Sequence, residues 1–154
     1  MDLAQLEQLH HFFNESVGAH RDMSMKMVSL ENGRVELIMP FQEKHSAHRV
    51  DGGLHPGALA AAIDSTCGFV IMLNLDKPQA IATINLRLDH IHHAPAGEDV
   101  RIFAECYQIH NGIAYVNAHA RDIRGEKLLC NAVGIFKLGS AGPDLASEIV
   151  KGRS

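Results

Sequence analysis

The stretch GALAAAIDSTCGFVIML, residues 57–73, decides the fold of this chain because nearly every residue in it is apolar or small. A helix that is hydrophobic on every side is buried, yet this one carries a carboxylate, Asp64, near its middle. An ionised group taken out of water destabilises a fold by several kcal/mol unless it is paired or hydrogen-bonded. Residues 57–73 are therefore predicted to form the central helix of a core, and Asp64 is predicted to be a functional residue.

The size and charge of the chain indicate a single domain over residues 1–154. A chain of 154 residues is a common size for one domain, and the apolar helix is shorter than the roughly 20 residues that cross a bilayer. The three cysteines are widely spaced, which is typical of reduced thiols rather than of zinc or disulfide patterns. No Lys or Arg precedes Arg21 and the net charge is −4. We therefore expect a cytoplasmic protein without membrane or nucleic-acid partners.

Two elements are predicted before the central helix. Apolar side chains at every third or fourth position of residues 3–17 indicate an amphipathic helix, within an N-terminal segment over residues 1–20. Alternating apolar residues on both sides of the Asn-Gly pair at residues 32–33 predict a β-hairpin, because both residue types tolerate positive φ. The polar residues 41–54 are then a loop, and a loop of this length is more often functional than decorative.

Strands are predicted between the central helix and the C-terminal tail. A first strand runs from residue 80 toward the Pro-Ala-Gly turn, and a meander follows over residues 100–109, 113–121 and 127–138. An Asn-Gly pair at residues 111–112 is a second hairpin signal, between the first two strands of the meander. Strands joined by such tight turns must be antiparallel. Residues 139–154 are expected to be a loose tail. A long helix between a hairpin and a meander is an α+β layout with the sheet wrapped over the helix.

Three segments resemble a known family. They are GLHPGAL at residues 53–59, ATINL at residues 82–86 and APAGEDV at residues 94–100. Together they resemble the PaaI-like acyl-CoA thioesterases of the hotdog fold, over roughly residues 33–138. The resemblance implies a long central helix wrapped by a six-stranded antiparallel sheet, and a homodimer or homotetramer with shared active sites. It also implies an acyl-CoA substrate, with coenzyme A as part of that substrate and no other cofactor.

Thioester hydrolysis needs a group that activates water or attacks directly, and donors that hold the developing oxyanion. The free N–H groups at a helix start are such donors. In the family that this chain resembles, the helix starts with His-Gly-Gly, and the first glycine N–H polarises the thioester carbonyl. The Asp nine residues after the His is the base or nucleophile. His55 and Asp64 keep this spacing.

The helix start departs from the family pattern at one position. Pro56 replaces the first glycine and has no N–H, although proline suits the first helical position. The next free N–H groups belong to Gly57 and Ala58. We therefore predict Gly57 as the oxyanion donor, with Pro56 and Ala58 in contact with substrate.

Two further positions are predicted to act on the carboxylate. Thr83 lies where the family commonly has Ser or Thr, and its hydroxyl can donate to Asp64 or to water, although a β-branched residue is also typical of any strand. Arg49 stands six residues before His55, where relatives often have an Asn or Gln that positions the attacking water. Arginine cannot accept a hydrogen bond. It is predicted instead to hold Asp64 or a group of the substrate.

Structural interpretations of the same residues remain open. Asp64 can be a paired structural acid, and His55 can simply cap the helix. Cys67 follows Asp64 by about one turn and is predicted to be a buried, inert thiol, since no basic neighbour would lower its pKa. His90 and His92 share one strand face, but no further ligand completes a metal site, so no metal is predicted.

Basic residues on the strands are candidates for binding the phosphates of coenzyme A, although isolated strand charges usually form a solvated face. They are Arg87, Arg101, Arg121 and Lys137.

Two other functions compete with thioester hydrolysis. Hotdog dehydratases also have Pro-Gly at the helix start, and His48 stands at their histidine spacing, but their Glu corresponds to Ala62 here. That reading lacks half of its acid-base pair. The second alternative is a hotdog protein that binds acyl-CoA or another ligand without catalysis, and Pro56 and Arg49 are the residues that favour it.

Overall fold

The computed structural model describes residues 3–31, 33–47 and 51–141 of the chain. The helices are α1 (Leu3–Ser16), α2 (Gly18–Asp22) and α3 (Pro56–Leu73), with a short 3₁₀ turn at Glu43–His45. The strands are β1 (Lys26–Glu31), β2 (Arg34–Met39), β3 (Ile81–His90), β4 (Val100–His110), β5 (Ile113–Asp122) and β6 (Leu128–Leu138). They form one sheet in the order β1-β2-β4-β5-β6-β3, and every neighbouring pair is antiparallel. The predicted six-stranded antiparallel sheet is confirmed.

The two predicted hairpins are present. β1 and β2 pair across the first Asn-Gly turn, of which Asn32 lies outside the described residues. β4 and β5 pair across the second, where Asn111 has a φ of 49° and Gly112 a φ of 73°. Positive φ at both central residues matches the right-handed twist of the strands that follow such a turn. Turn chemistry readable from the sequence therefore fixes the strand register here.

α3 lies across one face of the sheet, as the apolar pattern predicts. β2 alternates exposed or half-buried residues with buried ones, and its buried set, Val35, Leu37 and Met39, faces the core. Ile63 and Phe69 of α3 are fully buried in the same core. Alternation of this kind gives a sheet one packed face and one solvated face. The helix is thus held by apolar contacts with several strands at once.

α3 is not buried on every side, which corrects the expectation from its composition. Pro56 and Gly57 are exposed and Asp64 is half-buried, because none of the described elements covers this side of the helix. By length and composition the 18 residues would also suit a short membrane span, with a mean hydropathy of 1.5. A central helix packed in a folded domain has the same composition.

The predicted N-terminal helix is two helices. α1 ends at Ser16, and the five-residue α2 follows Val17. Phe13 of α1 stacks edge-on against Phe69 of α3, with ring centroids 4.9 Å apart. We call residues 3–22 the N-terminal arm, since they dock as a unit on the central helix.

β1 and β3 are the two edges of the sheet. Among the strands that the structure describes, β3 pairs only with β6, and it is exposed along most of its length, with Ile84 57 % exposed. An unpaired edge strand is a template for another strand, and natural proteins usually cover or pair it. The tail is described only as far as residue 141, so the prediction of a loose end falls outside the described residues.

Candidate active site

Asp64 and Thr83 form a hydrogen-bonded pair on the uncovered side of α3. The Thr83 hydroxyl donates to Asp64 Oδ1 over 2.9 Å. A shift in the β3–β6 register after Thr83 leaves Ile84 as an extra residue in the strand, and Thr83 itself lies opposite the buried Phe136. Thr83 therefore faces the helix side of the sheet. The predicted contact between hydroxyl and carboxylate is present in the structure.

The start of α3 is capped by the side chain of its N-cap residue. His55 is the N-cap residue, and the Gly57 N–H donates to its Nδ1 over 2.9 Å. The Ala58 N–H donates to the His55 carbonyl over 3.0 Å, and Pro56 occupies the first helical position, where its missing N–H costs nothing. The capping interpretation of His55 is therefore what the structure shows. In this conformation the Gly57 N–H is occupied, so a role as oxyanion donor requires His55 to turn away.

The structure does not bring the helix start and the carboxylate of one chain together. Gly57 and Asp64 are seven residues apart on one helix, which is about 10 Å along its axis. A donor and a base that serve one carbonyl group each lie about 3 Å from the reacting atoms. One copy of α3 therefore does not present both groups to the same carbonyl.

Two residues named by the sequence analysis fall outside the described part of the chain. Arg49, predicted to hold Asp64 or substrate, lies there with His48, the residue at the dehydratase spacing. Ala62, at the position of the dehydratase acid, is fully buried in the core.

Cys67 is completely buried, as predicted. Burial raises the pKa of the Cys67 thiol well above its ordinary value, and the nearby Asp64 carboxylate raises it further. The thiolate is the nucleophilic form of cysteine. Cys67 is therefore an inert packing residue in this fold.

Three of the four basic strand residues have local partners, and the fourth, Lys137, is exposed on β6. Arg87 forms an ion pair with Asp89 at 2.9 Å, and Arg101 forms one with Glu36 at 2.6 Å. The Arg121 guanidinium donates to the Gly125 carbonyl over 3.2 Å. None of these contacts joins them to the Asp64–Thr83 pair.

A shallow cavity of about 190 Å³ adjoins the helix start. It is lined by Leu54, Pro56, Leu59 and the loop residues 90–94, which include three histidines. The His92 ring nitrogen Nδ1 lies 2.8 Å from the Leu128 carbonyl, which fixes that side chain to β6. Within the described ranges no group of three or more His, Cys, Asp or Glu is arranged to hold a metal ion.

Sequence reasoning missed a second polar link next to Asp64. The ring of His20, in α2, is fully buried, and its Nδ1 lies 3.0 Å from the hydroxyl oxygen of Ser65. Burial lowers the pKa of His20 to about 4, with a further contribution from the neighbouring His10. α2 is too short to show apolar periodicity. The one sequence feature associated with this contact is a histidine close to the predicted N-terminal helix.

The sequence profile of the thioesterase superfamily matches residues 51–129, just over half of the chain, including α3 and β3 to β5. The chain belongs to the thioesterase superfamily. A Pseudomonas aeruginosa protein, PA0474, whose name marks it as a proposed esterase, is 29 % identical over 102 residues, which are 66 % of this chain and 73 % of that protein.

Solved structures of low sequence identity share the fold. A thioesterase family protein of Silicibacter pomeroyi superposes with a TM-score of 0.74 at 19 % identity, over 86 % of this chain and 96 % of that one. The Escherichia coli PaaI protein of the phenylacetic acid degradation operon gives 0.73 at 13 % identity, over 85 % and 91 %. Mouse thioesterase superfamily member 2 gives 0.72 at 20 % identity, over 86 % and 95 %. The architecture is the hotdog fold, as the resemblance implied.

Proposed function

We propose that this superfamily member hydrolyses acyl-CoA thioesters, with Asp64 as the catalytic carboxylate. Membership of the thioesterase superfamily supports thioester hydrolysis at the level of the family. The observation that carries the specific proposal is the Asp64–Thr83 pair, a half-buried acid on an otherwise apolar helix beside an exposed strand. A carboxylate has about four lone-pair sites, so the one bond from Thr83 orients Asp64 while leaving it able to accept from water.

Asp64 can act in either of two ways. As a general base it takes a proton from water while the water oxygen bonds to the acyl carbon, and the C–S bond then breaks to release coenzyme A and the free acid. As a nucleophile its own oxygen bonds to the acyl carbon, coenzyme A leaves, and water hydrolyses the anhydride. Thr83 supports both routes because its hydroxyl fixes the carboxylate. No cofactor is needed besides the coenzyme A of the substrate, and we expect the reaction in the cytoplasm.

We further infer that the working unit is a homodimer, or a homotetramer built from such dimers. Asp64 and Gly57 of one chain are too far apart along α3 to serve one carbonyl. The exposed edge of β3, which carries Thr83, is where a second copy can extend the sheet. A second α3 brought to this edge would supply the donors of its helix start to the Asp64 of the first chain.

The start of α3 also explains how the carbonyl would be held. The Gly57 N–H now donates to the His55 ring nitrogen, so a thioester oxygen must replace His55 as its acceptor. An N-cap side chain contributes about 1 kcal/mol, which a carbonyl oxygen that develops negative charge can outweigh. Exposed His55 has room to turn.

The test is a panel of acyl-CoA thioesters, aromatic and medium-chain, assayed by release of the coenzyme A thiol. We expect hydrolysis by the wild-type protein, and a fall in kcat of about 10²- to 10⁴-fold in Asp64→Asn with substrate binding preserved. Asp64→Asn with wild-type turnover would refute the role of Asp64. Sedimentation of a stable, active monomer would refute the dimer.

One observation favours a second candidate function. Pro56 supplies no N–H at the helix start, and the Gly57 N–H is occupied by the His55 ring. This arrangement suits a protein that binds acyl-CoA without hydrolysing it. Calorimetry distinguishes the two: a binding protein takes up acyl-CoA at stoichiometric amounts, and no thiol is released from any member of the panel.

A further inference from the structure

The N-terminal arm packs on α3 through a cluster of rings that includes one buried histidine. The His20 ring, with no exposed surface, lies among three other rings. Its centroid is 5.9 Å from that of His10, 5.4 Å from Phe13 and 5.7 Å from Phe69. Ring contacts of this kind have only broad orientation preferences, over centroid distances of about 4.5–7 Å, and are less directional than a hydrogen bond. They place the arm on α3 but do not fix how α3 is rotated.

The directional contact between arm and helix is the hydrogen bond of His20 with Ser65. The two atoms, Nδ1 and Oγ, are 3.0 Å apart, and Ser65 is itself only 7 % exposed. The other ring nitrogen, Nε2, is buried and has no hydrogen-bond partner among the described residues. A neutral ring suits this site, since an imidazolium would bury a second charged N–H without an acceptor. The His20 ring thus joins the arm to Ser65 through one hydrogen bond.

Ser65 follows Asp64 directly, so two neighbouring residues tie α3 to two different elements. Asp64 is bonded to Thr83 of β3, and Ser65 to His20 of α2. Successive residues of a helix point about 100° apart. A rotation or shift of α3 that kept one of these bonds would lengthen the other, because hydrogen bonds weaken steeply away from their preferred geometry.

We propose that His20, acting through Ser65, is a positioning residue that sets the orientation of Asp64 toward the substrate. The inference rests on the proposed function of Asp64 and extends it to the N-terminal arm. His20 touches no reacting atom. Its effect is on where the carboxylate lies, so it changes the chemical step more than the binding of substrate.

The chain offers a matched control one residue further along the helix. Thr66 is fully buried, like Ser65, but its hydroxyl donates within the helix, to the Ala62 carbonyl over 2.7 Å. Ser65→Ala and Thr66→Val each remove one buried hydroxyl bond from the same turn. Only Ser65→Ala removes a bond that joins the arm to α3.

The experiment measures kcat and KM for the acyl-CoA that the wild-type protein hydrolyses best. We expect kcat to fall about tenfold in Ser65→Ala with KM within about twofold, Thr66→Val to match the wild type, and Ser65→Thr to recover most of the rate. In a His20→Phe background, Ser65→Ala should have no further effect, since the bond is already absent. Equal kcat in Ser65→Ala and Thr66→Val would overturn the proposal.

A second readout separates this proposal from the proposed activity. The backbone amide NMR shift of residue 83, which is remote in sequence from residues 20, 65 and 66, should change in Ser65→Ala, or in His20→Phe if the first variant does not fold, and stay in place in Thr66→Val. An unmoved shift in the folded variant would refute the positioning role even if no acyl-CoA is hydrolysed. A moved shift with no thiol release from the wild type would support the positioning of Asp64 and reject the thioesterase.

Discussion

The start and the middle of α3 both carry residues expected to act on a thioester, but the structure leaves them in different states. At the start, the Gly57 N–H is bonded to the side chain of its own N-cap, His55, and both residues are exposed. In the middle, Asp64 and Ser65 are bonded to other elements, β3 and α2. The side chains of the middle are therefore held by the tertiary fold, whereas the Gly57 N–H is held only by its own N-cap side chain and can change partner when substrate arrives.

The largest expected effect tests whether these two regions work across subunits. Asp64→Asn and Gly57→Pro proteins are each expected to be nearly inactive. Dissociated, mixed and reassembled, they should regain about a quarter of wild-type activity, since about half of the dimers are mixed and each has one intact site. No recovery in confirmed mixed dimers would show that start and middle act within one chain.

The next effect concerns the start alone. Gly57→Pro removes the N–H and is expected to lower kcat by about 10²-fold, the usual loss for one oxyanion donor. Gly57→Ala is the control, because it keeps the N–H, and its Cβ would meet only the exposed His55 ring, at 3.0 Å. Pro56→Gly should leave turnover unchanged or raise it. Circular dichroism and melting checks that each variant folds, and a folded Gly57→Pro with normal kcat would locate the donor elsewhere.

A smaller effect is expected at the middle. Thr83→Val removes the hydroxyl that donates to Asp64 and should lower kcat about tenfold, since a hydrogen bond to a charged group contributes about 1.5–3 kcal/mol. Thr83→Ser keeps the hydroxyl and should keep most of the rate. If Thr83→Val and Thr83→Ser have the same kcat, the strand needs only a small side chain at this position.

The last expected effect concerns the stability that His20 contributes to the fold. Its pKa of about 4 in the fold lies below the ordinary 6.5, so the unfolded chain binds a proton that the folded chain does not. Its contribution is complete above about pH 6.5 and is lost as the pH falls toward 4, by up to about 3 kcal/mol.

Urea unfolding at several pH values measures this contribution. The free energy of unfolding should fall less steeply with acid in His20→Phe than in the wild type. The pKa values of His10, His45 and His119 are also lowered by burial, and these residues remain in both proteins, so the difference between the curves isolates His20. Parallel curves would contradict a buried neutral ring at this position.

The fold was predictable because its signals are local. The apolar run of α3, the two Asn-Gly turns and the alternation in the strands each depend on a few neighbouring residues, and all agree on one arrangement. The Asp64–Thr83 contact was predictable through the family resemblance. It needs a register shift in β3, which the sequence pattern does not specify.

The remainder of the site depends on contacts that no local pattern encodes. His20 and Ser65 are 45 positions apart in the chain, and nothing in the periodicity of either segment indicates that they meet. The occupied Gly57 N–H agrees with the capping interpretation of His55, which the sequence left open beside the family motif because a ring nitrogen is also a good acceptor for a helix start. Exposure of Asp64 was missed because composition describes a helix in isolation and not which of its sides the sheet covers.

The buried thiol of Cys67 makes the centre of this fold open to chemical measurement. The Cys67 side chain of α3 is fully buried in the core, and burial holds the pKa of its thiol high. A maleimide therefore reaches it only when the helix separates from the sheet. Cys106 is only half-buried, so its thiol is more accessible than that of Cys67, although burial raises its pKa as well. The ratio of the two labelling rates therefore measures how often the helix that carries Asp64 separates from the sheet. Mass spectrometry gives both rates without any engineered probe.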